Sequence, residues 1–224
     1  MHDSLKDHLR DPRDTRHHFN GFPVITDQVT KEGVAVVWHA LEATLQANIA
    51  GDVVEFGCYA GTTSVFIRRL LNQQGSDKVF HVYDSFDGLP EKSVQDANAA
   101  GVDFAAGKLY VSKADFVKVF RQAGLQPPII HKGWFSQLTA GEVPDQIAFA
   151  FLDGDFYRSI IDSLRLVWPR LTPGGTILVD DYQRETLPGV ERALRDFFQD
   201  KPGMSIAKQH NIAILKKPGE KQKV

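Results

Sequence analysis

The stretch that most constrains the fold lies at residues 147–182. It begins with an uninterrupted apolar run, Ile147–Leu152, which stops at Asp153-Gly154-Asp155. A short apolar run that contains aromatics and is bounded by charge is typical of a strand buried on both faces, as in a parallel sheet. We therefore predict a central strand that brings two aspartates to its carboxyl end.

A second strand is predicted shortly afterwards. Residues 156–168 place apolar side chains on one side at helical spacing, which indicates a helix. The segment Leu171-Thr172-Pro173-Gly174-Gly175 is expected to break the pattern before the apolar strand Thr176–Val179, which ends on Asp180-Asp181. If the two strands are adjacent and parallel, their carboxyl ends point to the same edge of the sheet.

The aspartates at these strand ends predict a metal site. Neighbouring strands lie about 4.8 Å apart, so Asp153, Asp180 and Asp181 should converge where open α/β sheets bind their ligands. Three carboxylates in a small space require a cation or shifted pKa values. An all-oxygen ligand set favours Mg²⁺ over Zn²⁺. The alternative is that these acids only end strands and cap helices, and Asp155 is well placed as an N-cap.

A glycine turn nearer the start of the chain predicts a cofactor site. The strand Val53–Phe56 contains Glu55 and is followed by Gly57, Gly61 and a predicted helix at 65–71. Glycines let the backbone approach a ligand closely. The Gly57-x-x-x-Gly61 spacing departs from the dinucleotide fingerprint, so it argues against a nicotinamide oxidoreductase and suits a nucleoside without phosphates.

The next strand supplies an acid that completes this pattern. It covers residues 78–83 and ends on Asp84. An acid at the end of the second strand of a nucleotide-binding fold accepts hydrogen bonds from ribose hydroxyls; a solvated strand-end acid is the alternative. The polar segment from Glu91 to about Lys108 follows a sheet edge, and we predict that it is a lid or acceptor loop.

The rest of the pattern predicts an α/β fold with a mostly parallel sheet. Further elements are expected as helices at about 28–50, 113–123 and 187–198, a strand at 127–131, and an antiparallel hairpin at 205–209 and 212–215. We divide the chain into an N-terminal arm and packing helix (1–50), the main domain (51–216) and a flexible basic tail (217–224).

Composition limits the classes of partner. The formal net charge of -2 gives no electrostatic reason to expect nucleic acid. With 1 cysteine the chain forms no internal disulfide, which fits a reducing compartment. The charged start is unlike a signal peptide, and no apolar run approaches the length of a membrane span. We expect a cytoplasmic protein without a membrane partner.

Five segments of the sequence together carry a family resemblance: Val54–Ser64, Asp84–Pro90, Lys132–Phe135, Leu152–Tyr157 and Val179–Tyr182. They resemble the macrocin O-methyltransferase family, Mg²⁺-dependent enzymes that methylate sugar hydroxyls of antibiotics with S-adenosylmethionine. It implies a Rossmann-like class I methyltransferase fold with a seven-stranded sheet. Departures after Pro90 and at Leu138-Thr139-Ala140-Gly141 leave the identity of the acceptor open.

The resemblance also implies roles for individual residues. The methionine end of the cofactor would be held by Glu55, Gly57, Cys58, Gly61, Thr62 and Thr63. The ribose would be held by Asp84 and Ser85, and the adenine would lie at Gly133, Trp134 and Phe135. Asp153 would border the cofactor and bind Mg²⁺ together with Asp180 and Asp181.

The reaction implied is methyl transfer to a hydroxyl of a small molecule, with a sugar or glycoside as the expected acceptor. Asp153 or Asp155 would act as the catalytic base. Two other readings stay open: a haloacid-dehalogenase-like phosphatase, whose nucleophile also follows a strand as Asp-x-Asp, and a non-catalytic S-adenosylmethionine-binding protein. We also expect a homodimer formed through the N-terminal arm.

Overall fold

The computed structural model describes residues 25–26, 28–97, 104–201 and 205–219. Its strands are β1 (Asp52–Phe56), β2 (Phe80–Asp84), β3 (Ile129–Lys132), β4 (Ile147–Leu152), β5 (Leu171–Val179), β6 (Ile206–Gln209) and β7 (Ile212–Lys216). They form one sheet in the order β3-β2-β1-β4-β5-β7-β6. The first five strands pair in parallel, and β7 runs antiparallel to both β5 and β6. The predicted mostly parallel, seven-stranded sheet with a C-terminal antiparallel hairpin is confirmed.

Helices cover both faces of this sheet. They are α1 (Lys31–Gln46), α2 (Thr62–Gln73), α3 (Lys113–Gln122), α4 (Tyr157–Val167) and α5 (Pro188–Phe198). All six residues of β4 are buried. Because side chains alternate along a strand, Phe149 and Phe151 pack with α1, α2 and α3, whereas Ala150 and Leu152 pack with α4 and α5. A continuous apolar run is therefore what a central strand with two covered faces requires.

The helical pattern ends before residue 171 as predicted, because α4 stops at Val167, but β5 begins at Leu171 and not at the predicted Thr176. The pairing of β5 with β4 shifts register between Ile147 and Phe149, so the irregular residues are absorbed as a bulge. Gly174 adopts a φ of 82°, and its N–H donates to the carbonyl of Lys217 at 2.9 Å. A glycine at positive φ kinks the strand without ending it, which the sequence pattern does not reveal.

The segment after Pro90 is fixed at one end by a buried carboxylate. Asp96 is 4% exposed; its Oδ2 accepts from the backbone N–H and hydroxyl of Ser93, and its Oδ1 accepts from the N–H of Tyr157 at 2.7 Å. The carboxylate thus satisfies a free N–H at the start of α4. Arg192 on α5 donates to the carbonyl of Gln95 at 2.6 Å. Residues 98–103 of the predicted lid lie outside the described residues.

What we predicted for the two ends of the chain remains a prediction. The arm at residues 1–24 and residues 220–224 of the tail lie outside the described residues. The arm-mediated homodimer and the division at residues 50 and 216 are therefore untested. Among the helices described, none combines the length and apolar character needed to cross a bilayer.

Gly189→Ala is expected to destabilise the fold by roughly 1–3 kcal/mol, as overpacking does. A Cβ at Gly189 would lie 1.9 Å from Asp96 Oδ1 and 2.9 Å from the Tyr157 nitrogen, so the new methyl group would separate Asp96 from α4. Urea unfolding measures the change. The matched control is Gly141→Ala, where an added Cβ meets nothing within 4 Å. Equal stability of the two variants would contradict the role of Asp96 in holding the segment after Pro90 against α4.

Candidate active site

The site lies where the carboxyl ends of β1, β4 and β5 meet. The ladder of hydrogen bonds continues one residue beyond the strands: the N–H of Asp153 donates to Phe56 O at 2.8 Å, and the N–H of Asp180 donates to Leu152 O at 2.9 Å. The backbone therefore fixes the first acid after each strand relative to its neighbour. This confirms that β4 and β5 are adjacent and parallel, the condition on which the predicted convergence depends.

A cluster of carboxylates forms at this edge. Asp153, Asp155 and Asp181 each offer an oxygen, and these oxygens lie within 4.8 Å of one another. Asp155 and Asp181 have φ angles of 58° and 54°, a left-handed backbone that is uncommon for residues other than glycine. The cluster therefore includes Asp155, which was not among the predicted metal ligands. The predicted ligand Asp180 lies outside this group of three but lines the same cavity. Three oxygens from carboxylates match the ligand preference of Mg²⁺.

The electrostatic environment of this cluster is unfavourable without a cation. Burial, followed by the neighbouring Asp180, raises the pKa of Asp153 well above its usual range. Burial, followed by Asp181, raises the pKa of Asp155 in the same way. The pKa of Asp180 rises to about 7 for the same two reasons, burial and the Asp181 carboxylate. Like charges in a poorly solvated space favour protonation, and a bound divalent cation would reverse that preference.

The glycine turn after β1 packs directly against the acidic strand end. Gly57 has a φ of 87°, and a Cβ there would lie 1.8 Å from the carbonyl oxygen of Asp153. Asp84 holds the turn: its Oδ2 accepts from the N–H of Cys58 at 2.8 Å, and its Oδ1 accepts from the N–H of Phe86 at 2.7 Å. Asp84 therefore organises the turn as well as facing the cavity. Its proposed bond to ribose stays a prediction.

Three buried polar atoms of residues that line this cavity have no hydrogen-bond partner among the described residues: Thr26 Oγ1 and two atoms beside the glycine turn. Glu55 is 1% exposed; its Oε2 accepts from Ser64 Oγ at 2.5 Å, but its Oε1 is unpaired. Thr62 Oγ1 is also buried and unpaired. Unsatisfied buried polar atoms are costly unless a ligand supplies the hydrogen bond. The two atoms fit a ligand with a polar end, such as the amino-acid portion of S-adenosylmethionine.

Most residues that the sequence analysis assigned to this region line one cavity. These are Glu55, Gly57, Cys58, Thr62, Thr63, Asp84, Ser85, Trp134, Phe135, Asp153, Asp155, Asp180 and Asp181. Gly61 and Gly133 do not line it. Gly61 instead precedes α2 with a φ of 87°, and Gly133 donates its N–H to Asp84 O at 2.9 Å. The structure therefore assigns these two glycines a role in shaping the turns.

The predicted aromatic pair has two different environments. Phe135 packs edge-on against Phe56, with ring centroids 5.2 Å apart, and it also contacts the apolar cluster beneath α4. Trp134 is half-buried and borders the cavity. Phe135 therefore packs in the core, and both rings line the cavity; the adenine expected beside them stays a prediction.

Several cavity residues were not anticipated from the sequence. Further lining residues include Thr26, Gln28, Val29, Tyr59, Ala60, Gly88, Leu89, Pro90, Phe104, Leu109, Gly154, Ser159 and Arg184. A second cavity of about 430 Å³ adjoins the first and shares six lining residues with it: Gln28, Val29, Thr63, Asp180, Asp181 and Arg184. Its other walls include Thr30 and Glu32 near the start of α1 and His210 between β6 and β7. Only the three-dimensional fold brings these distant segments together.

Glu55→Gln is expected to remove a pH-dependent part of the stability. Burial raises the pKa of Glu55 from 4.5 to about 8, so the folded protein holds this proton more tightly than the unfolded chain. The resulting stability is complete below pH 4.5 and is lost as the pH rises to about 8. Urea unfolding near both pH values should show wild type losing stability relative to the variant, by up to a few kcal/mol.

The exposed Glu91 provides the control for this measurement. Glu91→Gln should follow the wild-type pH profile. An unchanged difference between wild type and Glu55→Gln at the two pH values would contradict a protonated Glu55.

Known proteins resemble the chain in sequence. It is 33% identical over 151 residues to the 8-demethyl-8-(2,3-dimethoxy-alpha-L-rhamnosyl)-tetracenomycin-C 4'-O-methyltransferase of Streptomyces olivaceus, covering 64% of this chain and 58% of that protein. It is 30% identical over 176 residues to the mycinamicin III 3''-O-methyltransferase of Micromonospora griseorubida, covering 75% of this chain and 67% of that protein. The chain thus matches less than two thirds of the first relative's length.

Solved structures share the fold, and the family follows from the sequence. The O-methyltransferase NovP superposes with a TM-score of 0.73 at 24% identity, covering 84% of this chain and 82% of NovP. The calicheamicin methyltransferase CalS11 gives 0.68 at 16% identity, covering 96% and 94%. The predicted Rossmann-like class I methyltransferase fold is thereby confirmed. The macrocin-O-methyltransferase (TylF) family matches residues 8–208, and the chain therefore belongs to that family.

Proposed function

We propose that the protein is an S-adenosylmethionine-dependent, Mg²⁺-dependent O-methyltransferase that acts on a hydroxyl group of a small molecule, a sugar or natural-product glycoside. The observation that carries this proposal is that the glycine turn after β1 and the carboxylates after β4 and β5 line one cavity. A cofactor site and a cation site in the same space are what a metal-assisted transfer to oxygen requires.

The cofactor would be held by groups already oriented for it. When bound, S-adenosylmethionine supplies an electrophilic methyl group on a sulfonium. The unpaired Glu55 Oε1 and Thr62 Oγ1 would meet its amino-acid end. Asp84 and Ser85 would face the ribose, and Trp134 and Phe135 would border the adenine. The Gly57 turn packs against the Asp153 backbone, so a cofactor held by this turn would lie beside the acids.

The acids would hold and activate the acceptor. Asp153, Asp155, Asp180 and Asp181 offer carboxylate oxygens for Mg²⁺, which when bound supplies positive charge that makes an acceptor hydroxyl more acidic. Asp153 or Asp155 would accept the hydroxyl proton, because both carboxylates belong to the cluster that lines the cavity. Displacement at a sulfonium needs little more than alignment and exclusion of water.

A sugar acceptor is supported by the first relative, whose name gives a rhamnosyl-tetracenomycin as the molecule that it methylates. Because the chain matches only 58% of that relative, the acceptor belongs to the proposal. From the net charge of -2 and the single cysteine we also propose a cytoplasmic location and no nucleic-acid partner. A homodimer remains part of the proposal as well.

Two competing functions explain less of the cavity. A haloacid-dehalogenase-like phosphatase would use Asp153 and Asp155, but it gives no role to Glu55, Thr62 or the Gly57 turn in the same cavity. A non-catalytic cofactor-binding protein would need no cluster of three carboxylates within 4.8 Å. Thermal shifts with S-adenosylhomocysteine, NAD and phosphate, each with and without Mg²⁺, separate the three.

We expect S-adenosylhomocysteine, and neither NAD nor phosphate, to raise the melting temperature of the wild-type protein. Gly57→Ala should abolish this shift, because its methyl group would lie 1.8 Å from the Asp153 carbonyl oxygen. The matched control is Gly124→Ala: that glycine also has a positive φ of 68°, but a Cβ there meets nothing within 4 Å. The control should retain the shift. A strong response to phosphate alone would favour the phosphatase.

Asp153→Asn and Asp181→Asn should each weaken Mg²⁺ binding by roughly 10-fold or more, since each removes a charged ligand. Isothermal titration of Mg²⁺ measures the affinity, and S-adenosylhomocysteine binding should be nearly unchanged. The exposed Asp145→Asn is the control. Labelled S-adenosylmethionine, incubated with candidate acceptors and followed by mass spectrometry, should show Mg²⁺-stimulated methylation lost in both variants. Wild-type Mg²⁺ affinity in either variant would refute that ligand assignment.

A further inference from the structure

A guanidinium group lies directly against the acidic cluster. Arg184 Nη1 is 2.6 Å from Asp181 Oδ1. Among the described residues that line the two cavities, Arg184 is the sole lysine or arginine. The carboxylates that line them are Glu32, Glu55, Asp84, Asp153, Asp155, Asp180 and Asp181. A single permanent positive charge therefore faces a strongly acidic surface.

The backbone fixes this ion pair in place. Asp181 and Gln183 have φ angles of 54° and 59°, and the N–H of Arg184 donates to Asp181 O at 3.2 Å. The N–H of Leu187 then donates to Arg184 O at 2.9 Å. This tight turn folds Arg184 back over the acid that precedes it by three residues. No signal in the apolar pattern predicts such a contact, since it depends on two residues in the left-handed region.

The two side chains of the ion pair differ in their exposure to solvent. The Asp181 side chain is 9% exposed, whereas the Arg184 side chain is 41% exposed. The Arg184 guanidinium carbon lies 5.7 Å from the centre of the Phe104 ring, and the residue borders both cavities. The carboxylate is thus held in the site, while the guanidinium has an open side toward which it can move.

We infer that Arg184 is the counter-ion of the acidic cluster in the metal-free protein and that it competes with the divalent cation for Asp181. This inference rests on the proposed function, because it requires a cation site at these carboxylates. A guanidinium on Asp181 occupies one of its oxygens and repels a divalent cation nearby. By linkage the effect is reciprocal: Arg184 weakens cation binding, and the bound cation weakens the Arg184–Asp181 pair.

A positioning role for Arg184 is the alternative to competition, and it predicts the opposite change in Mg²⁺ affinity. An arginine that only orients Asp181 would strengthen cation binding, as residues that position metal ligands do. The effect of removing the positive charge on Mg²⁺ affinity therefore separates competition from positioning.

The test is isothermal titration of metal-free protein with MgCl₂ for wild type, Arg184→Gln, Arg184→Lys and Arg165→Gln. Arg184→Gln should bind Mg²⁺ roughly three- to tenfold more tightly, the change expected when a partly exposed ion pair no longer opposes binding. Arg184→Lys keeps the charge and should stay close to wild type. Arg165→Gln is the matched control, because Arg165 pairs with Asp162 at the same three-residue spacing, 3.2 Å apart and outside both cavities. It should bind Mg²⁺ like wild type.

Melting temperatures give a second readout that simple loss of structure would not reproduce. In the metal-free state Arg184→Gln should melt below wild type, since the carboxylates lose their counter-ion. At saturating Mg²⁺ the difference should vanish or reverse. Arg165→Gln should show the same difference from wild type with and without Mg²⁺.

Each possible outcome of these measurements either supports or overturns the inference. Tighter Mg²⁺ binding by Arg184→Gln, with the convergence of melting temperatures, supports it. Unchanged or weaker binding by Arg184→Gln, with normal wild-type binding, overturns the inference alone and leaves the proposed function standing. Absence of Mg²⁺ binding in both wild type and Arg184→Gln overturns the proposed cation site together with the inference.

Discussion

The parallel pairing of β4 between β1 and β5 is the constraint on which the site depends. The N–H groups of Asp153 and Asp180 donate to the carbonyls of Phe56 and Leu152 on neighbouring strands, so the ladder fixes the acids at the sheet edge. The six buried residues of β4 hold that register, because a slip of one residue would exchange its two buried faces. The same strand, covered on both sides, therefore both stabilises the sheet and positions the acids at its edge.

The same geometry creates an electrostatic problem at the strand ends. Carboxylates are concentrated where burial raises the pKa of Asp153 and Asp155 well above their usual range. Ionising them together needs a positive charge nearby. Arg184 supplies one such charge from the turn after β5, and the proposed Mg²⁺ would supply a second. On the proposals made above, the acidic edge would exchange one counter-ion for the other, and the glycine turn and Asp84 form the adjacent wall of the same cavity.

Much of this was readable from local patterns, and the exceptions share a cause. The apolar run before Asp153 predicts β4, and the Gly57-x-x-x-Gly61 spacing predicts the turn, because both depend on neighbouring residues. The strand expected to begin at Thr176 begins at Leu171, since pairing with β4 and with the segment at Lys217 keeps residues 171–175 in a strand. Gly61 and Gly133 shape turns and do not line the cavity, and the cofactor contact expected of them stays a prediction.

Local patterns of polarity and backbone freedom were enough to predict the order of strands and helices, the acids at the strand ends and the glycine turn. The folded chain alone reveals which of these groups share a space. It brought Asp155 into the cluster with Asp153 and Asp181, folded Arg184 onto Asp181, and placed the start of α1 beside the turn between β6 and β7. Such contacts arise from strand register and from residues at positive φ, and neither is encoded in the spacing of apolar residues.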